Sequence, residues 1–231
     1  MAKPTIVLVH GFWGGAAHWG KVIVQLSKLG YTDIHAVENP LTSLADDAAR
    51  TKKMIAQQKG PVILAGHSYG GAVISEAGDQ PNVEALVYIA GWALDVGESI
   101  ATGDGGLPVG PGTANVAPDS DGYLWINPAK FGESFCQDLP HDEQLVMAVT
   151  QKAPLGKTAG DTLTTAAWRN KPSFYQISGE DRMIHPDNQR RMAQRLNARK
   201  VITLPTSHVS LTSKPHDVAH FIDDAAKMTV S

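Results

Sequence analysis

Six short runs of apolar, mostly β-branched residues recur along the chain, each followed by a helical pattern, and no other feature restricts the fold as much. The first, residues 5–10 (TIVLVH), has no alternation of polar and apolar positions, which marks a strand buried on both faces. Residues 34–37, 62–66, 85–90, 174–178 and 201–204 supply the others. Between them, residues 17–29 place Val22, Ile23, Leu26 and Leu29 at helical spacing and close at Gly30. Ser43 offers an N-cap, with Asp46 and Asp47 in the first turn, for a helix running to about Gln58 and stopped by Gly60-Pro61. Residues 69–78 predict a helix of small residues. Pro186 and Pro215 open two more, over residues 186–197 and 215–228. Strands alternating with helices imply an α/β fold: a mostly parallel sheet of about six strands, covered on both faces by right-handed crossovers.

The alternation breaks once. Residues 95–170 are rich in Gly and Pro, and residues 103–112 offer no regular pattern. One helix is expected inside, over residues 140–152, with Pro140 at its first position and Asp142 and Glu143 in the first turn. The expected organisation is therefore a core of residues 1–94 and 171–231, with residues 95–170 inserted as a cap, or lid, over one end of the sheet. Hydrophobic residues at 42% and charged residues at 19% suffice for a buried core. The formal charge is −3 and no run of like charges occurs, which argues against a nucleic-acid or anionic-membrane partner. No apolar stretch reaches the ~20 residues of a membrane span, and the N-terminal residues do not resemble a secretion signal. A single cysteine, Cys136, rules out an internal disulfide and a CxxC metal site. The expected location is cytoplasmic.

Chemistry concentrates where strands end. Gly66-His67-Ser68-Tyr69-Gly70 matches G-x-S-x-G, a weak pattern alone, but it lies between an apolar strand and a helix of small residues, as a nucleophile elbow requires. A helix cap would also account for Ser68, yet a cap needs no glycine on either side. A serine hydroxyl needs a base to take its proton. Of nine histidines, His208 follows the last strand and would emerge at the same sheet edge as Ser68. His67, inside the elbow, points away from Ser68 and reads as structural. The base needs a carboxylate to fix its tautomer. Asp181, after residues 174–178, is one strand–helix unit before His208; Glu180 and Asp95 are alternatives. The order Ser68, Asp181, His208 fits an α/β-hydrolase. For the oxyanion, the N–H of Tyr69 and that of Phe12, in His10-Gly11-Phe12-Trp13-Gly14-Gly15, are the expected donors. No Gly-Lys-Ser/Thr follows that turn, so it is not a phosphate loop.

These segments (VLVHGFWGG, GHSYGG, GEDRMIHP and SHVSLTSKP) resemble the α/β-hydrolase superfamily over nearly the whole chain. More narrowly, the chain resembles the small esterase branch that holds plant methylesterases, the salicylate-binding esterase and plant hydroxynitrile lyases. That resemblance places the acid on Asp181, ahead of His185-Pro186, and the base on His208. The lyases carry threonine and lysine where this chain has Gly11 and Val209, so ester hydrolysis is implied rather than cyanohydrin cleavage.

The combined expectation is a serine carboxylesterase acting on a small-molecule ester through an acyl-enzyme, with no metal and no organic cofactor. Trp13, Trp92, Trp125, Phe131 and Trp168 are candidate pocket walls. A lactonase, a perhydrolase or cofactor-free haloperoxidase, a C–C lyase or a small-ligand receptor would use the same constellation. The oligomeric state stays open, a homodimer included.

Overall fold

The computed structural model describes residues 3–230. Six strands form one parallel sheet in the order β2-β1-β3-β4-β7-β8. They are β1 (Thr5–Val9), β2 (Ile34–Val37), β3 (Val62–His67), β4 (Val83–Ile89), β7 (Ser173–Ser178) and β8 (Lys200–Leu204). The continuous apolar runs have the cause inferred for them: β1, β3 and β7 are buried at every position, whereas the edge strand β8 alternates half-buried and exposed residues. From β1 the chain moves to β2 on one side and later to β3 on the other. This reversal of direction opens a crevice at the C-terminal ends of β1 and β3, where ligands of open α/β sheets bind.

The helices α1 (Gly20–Lys28), α2 (Leu44–Ala56), α3 (Gly70–Ala77), α6 (Pro186–Arg195) and α7 (Pro215–Thr229) cover the sheet. Their starts follow local chemistry. Ser43 Oγ accepts the Asp46 N–H at 3.1 Å, and His185 Nδ1 accepts the Asp187 N–H at 3.2 Å ahead of Pro186. Residues 17–29 resolve into a 3₁₀ turn, Ala16–Trp19, and then α1, closing at Gly30 with φ 87°. Among the described residues no helix is long and apolar enough to cross a membrane.

Between β4 and β7 lie a two-stranded antiparallel ladder of β5 (Val116–Pro118) and β6 (Leu124–Ile126), then the helices α4 (Phe131–Phe135) and α5 (His141–Thr150). The ladder was not expected, because three-residue strands leave too few positions to display a period. The helix expected over residues 140–152 is shorter. Pro140 is its N-cap rather than its first residue, with ψ 149°. Its end is set by Gln151, whose side chain accepts the Ile126 N–H at 3.1 Å and donates to the Ile126 carbonyl at 3.0 Å. Pairing with β6 draws the chain out of the helix.

This inserted segment grips the loops that leave the sheet. Trp13 donates through Nε1 to the Leu124 carbonyl at 2.9 Å, and its N–H to the Lys152 carbonyl at 3.1 Å. Gln137 Nε2 donates to the Glu180 carbonyl at 2.7 Å, and the Ser207 N–H donates to Asp138 at 3.0 Å. The loops after β1, β7 and β8 are therefore all held from one side.

Candidate active site

The elbow joining β3 to α3 is built on close backbone approach. A Cβ at Gly66 would lie 2.4 Å from the Gly70 carbonyl oxygen, and one at Gly70 would lie 2.4 Å from that of Val9. Only glycine permits both contacts. Ser68 between them has φ 55°, a left-handed conformation that costs a non-glycine residue on the order of 1–3 kcal/mol. Hydrogen bonds hold it there. Its N–H donates to the Ile89 carbonyl at 3.2 Å, and its carbonyl accepts from Gly71 and Trp92, both at 2.9 Å. A strained serine fixed on three sides is not a helix cap, and in fact Tyr69 occupies the N-cap position of α3.

Asp181 and His208 meet as the strand order requires. Ser178 pairs with Leu204 at the ends of β7 and β8, and the loops beyond bring His208 Nδ1 to 2.7 Å from Asp181 Oδ2, both side chains buried. Asp181 accepts three more hydrogen bonds: from the Met183 N–H at 2.7 Å, the Ile184 N–H at 3.0 Å and Gln189 Nε2 at 2.8 Å. Such a fully satisfied carboxylate stays in place and accepts a hydrogen bond from Nδ1–H, the tautomer that leaves a lone pair on Nε2 of His208. That Nε2 is buried and has no hydrogen-bond partner among the described residues, so the bond to Ser68 is not formed in this resting geometry. Catalytic hydrogen bonds commonly tighten only when substrate is bound. The alternative acids are elsewhere: Glu180 is exposed, and Asp95 is paired with Arg169 at 2.7 Å.

The ring of His208 is enclosed by Phe135, edge-on at 5.1 Å, and by His67 at 4.8 Å. His67 Nε2 donates to the His208 carbonyl at 2.8 Å. Burial first, and the neighbouring His208 second, hold the pKa of His67 well below the ordinary histidine value, so it stays neutral and keeps that donor role. The elbow histidine thus ties β3 to the loop that carries His208.

Across the crevice, Gly11 brings the loop after β1 against the elbow. A Cβ there would lie 2.6 Å from Ser68 Cβ. Neither the Phe12 nor the Tyr69 N–H donates to any partner among the described residues, and the two rings stack at 4.2 Å with 19° between their planes. His10 anchors this loop: Nδ1 donates to the Gly11 carbonyl and Nε2 accepts the Asn39 N–H, each at 2.9 Å.

The proposed pocket walls divide. Trp13 packs edge-on against Phe135 and Phe12; Trp92 follows β4 and bonds the Ser68 carbonyl; Phe131 is fully buried against Phe135. Trp125 and Trp168 do not join them. Trp125 is 40% exposed on β6, its Nε1 bound to Asp119. Trp168 lines a surface hollow with Ser173 and Arg199, where β7 and β8 begin, at the edge opposite Ser68. Aromatic composition gives no indication of which sheet edge a residue reaches. Gln189 and Phe135, which contact Asp181 and His208, were not anticipated either, since each meets its partner only after distant segments pack.

A sheet with a strained serine turn, an Asp–His pair and unpaired N–H groups at one crevice defines a hydrolase-like site. Residues 6–221 match the alpha/beta hydrolase family, and the chain belongs to it. It is 28% identical, over 98% of both chains, to an alpha/beta hydrolase of Aspergillus novofumigatus. Among solved structures it is similar to a pyrethroid hydrolase from Sphingobium faniae, at 22% identity, with 97% of each chain covered and a TM-score of 0.81. A methylesterase from Arabidopsis superposes with a TM-score of 0.77 at 17% identity, covering 97% of this chain and 99% of the other. The fold is thus shared with the methylesterase branch that the sequence motifs resemble.

Proposed function

We propose that the chain is a serine esterase that hydrolyses small carboxylic esters through an acyl-enzyme. The observation that carries this reading is the buried Asp181–His208 pair at 2.7 Å, with Nε2 of His208 unpartnered and its ring packed on His67, the residue next to Ser68. In the proposed cycle, His208 Nε2 takes the Ser68 proton as Oγ attacks the ester carbonyl carbon. The C–O⁻ that forms accepts from the Phe12 and Tyr69 N–H groups. His208 then returns the proton to the leaving alcohol, and water repeats the sequence to release the acid. Asp181 keeps the imidazole in the productive tautomer throughout. The cycle calls for no metal and no organic cofactor.

Residues 95–170 act as the cap in this reading, because they grip the loops that hold Phe12, Asp181 and His208. Trp13, Trp92 and Phe131 are the proposed apolar walls beside the acyl carbon. The names of the similar proteins, a hydrolase of pyrethroids and a methylesterase, favour ester substrates with apolar parts. Turnover of an aryl acetate by the wild type, and its loss in Ser68→Ala, is the expected result. Equal turnover by the two proteins would overturn the assignment. Preference for a lactone over open-chain esters would replace the substrate class while leaving the nucleophile in place.

A further inference from the structure

Among the buried ionisable groups that the chemistry above leaves without a task, one lies next to the elbow. Asp47, in the first turn of α2, is fully buried. A carboxylate without solvent is costly unless its lone pairs are filled. One oxygen accepts the Leu41 N–H at 2.9 Å; the other accepts the Tyr69 hydroxyl at 2.6 Å. The first bond supports Leu41, whose φ is 63°, at the entry to α2. The second reaches out of α2 to the residue that follows the nucleophile. The Tyr69 ring in turn lies flat on Phe12 at 4.2 Å. The two side chains belong to the two residues whose N–H groups are the expected oxyanion donors, and they come from loops after different strands. No hydrogen bond joins Phe12 to Tyr69 directly among the described residues, so the stacked rings are their link.

We infer that Asp47 is a positioning residue for the oxyanion hole: its carboxylate fixes the Tyr69 ring, the ring stacks on Phe12, and the two donor N–H groups are held at a set separation. This rests on the esterase reading and specifies which part of the molecule sets its transition-state geometry. Asparagine in place of Asp47 would still accept from Leu41, so serving the α2 turn does not by itself require a carboxylate. A short bond from a phenol to a charged acceptor is stronger and better aligned than one to an amide. A donor that drifts by a fraction of an ångström weakens its bond to the oxyanion, which is absent from the ground-state ester and develops as the tetrahedral adduct forms.

The test uses Tyr69→Phe, which keeps the ring and removes the hydroxyl, together with Asp47→Asn and the double variant. Each is assayed on an aryl acetate and against an aryl trifluoromethyl ketone that mimics the tetrahedral adduct. We expect kcat to fall about tenfold in each single variant, a fraction of the 10²–10³ lost when a donor is removed outright, with KM unchanged. Ketone affinity should weaken in step with kcat/KM, and the double variant should be no worse than the poorer single one. Unchanged kcat, a loss confined to KM, or additive losses in the double variant would overturn the inference. Should the wild type itself neither turn over the ester nor bind the ketone, the esterase reading falls instead.

Discussion

Replacing Asp181 by asparagine probes the base more sharply than deleting it, because shape is preserved and one atom changes. The new amide can sit two ways. With its nitrogen in the Oδ1 place it would face the Met183 and Ile184 N–H groups, now 2.7 and 3.0 Å from an acceptor, and forfeit two charge-assisted bonds of about 1.5–3 kcal/mol each. With its nitrogen in the Oδ2 place it would face Gln189 Nε2 and His208 Nδ1. Gln189 resists turning, since its Oε1 accepts the Ser178 N–H at 2.9 Å. His208, however, can yield by moving its proton from Nδ1 to Nε2. The second arrangement therefore costs less for the fold and removes the base: Nε2 then presents a hydrogen to Ser68 rather than a lone pair. We expect kcat on an aryl acetate to drop about 10³–10⁴-fold, while KM and the melting temperature change little. Glu180→Gln and Asp95→Asn, the rival acids, should retain wild-type kcat. A kcat for Asp181→Asn within about tenfold of wild type, or an equal loss in either control, would refute the assignment of the acid.

Two further outcomes follow from packing and burial. Gly70→Ala should lower stability by about 1–3 kcal/mol, read as several degrees of melting temperature, because its Cβ would meet the Val9 carbonyl at 2.4 Å; Gly20→Ala, with nothing within 4 Å among the described residues, should lose none. His10, His18 and His67 are all held below the ordinary histidine pKa by burial, His18 at about 4. The unfolded chain therefore binds more protons between about pH 6.5 and 4, and stability must decline on acidification through that window. Denaturant midpoints at pH 7 and 5 check this, and His18→Gln should reduce the difference; a midpoint independent of pH contradicts it.

How far the sequence could be read depended on the range of the forces involved. Strands β1, β3 and β7 were legible because burial on both faces leaves continuous apolar runs, and helix starts were legible because Ser43, Pro186 and Pro215 act on their own first turns. The elbow was legible for the same reason: Gly66 and Gly70 make contacts that no other residue allows. The positions of Asp181 and His208 followed from strand order, which carries both to one edge. The β5–β6 ladder and the early end of α5 were not legible, since they depend on Gln151 finding Ile126. Nor were His67 as a brace of the His208 carbonyl or Asp47 as a partner of Tyr69, because those bonds form only after separate crossovers pack together.

The most direct test of the central claim is covalent. After treatment of the folded protein with an aryl fluorophosphonate, peptide mass mapping should find one phosphonyl adduct, on Ser68, absent from Ser68→Ala and greatly slowed in His208→Ala. A folded protein left unmodified at that hydroxyl, or modified at the same rate without the imidazole, would contradict the account.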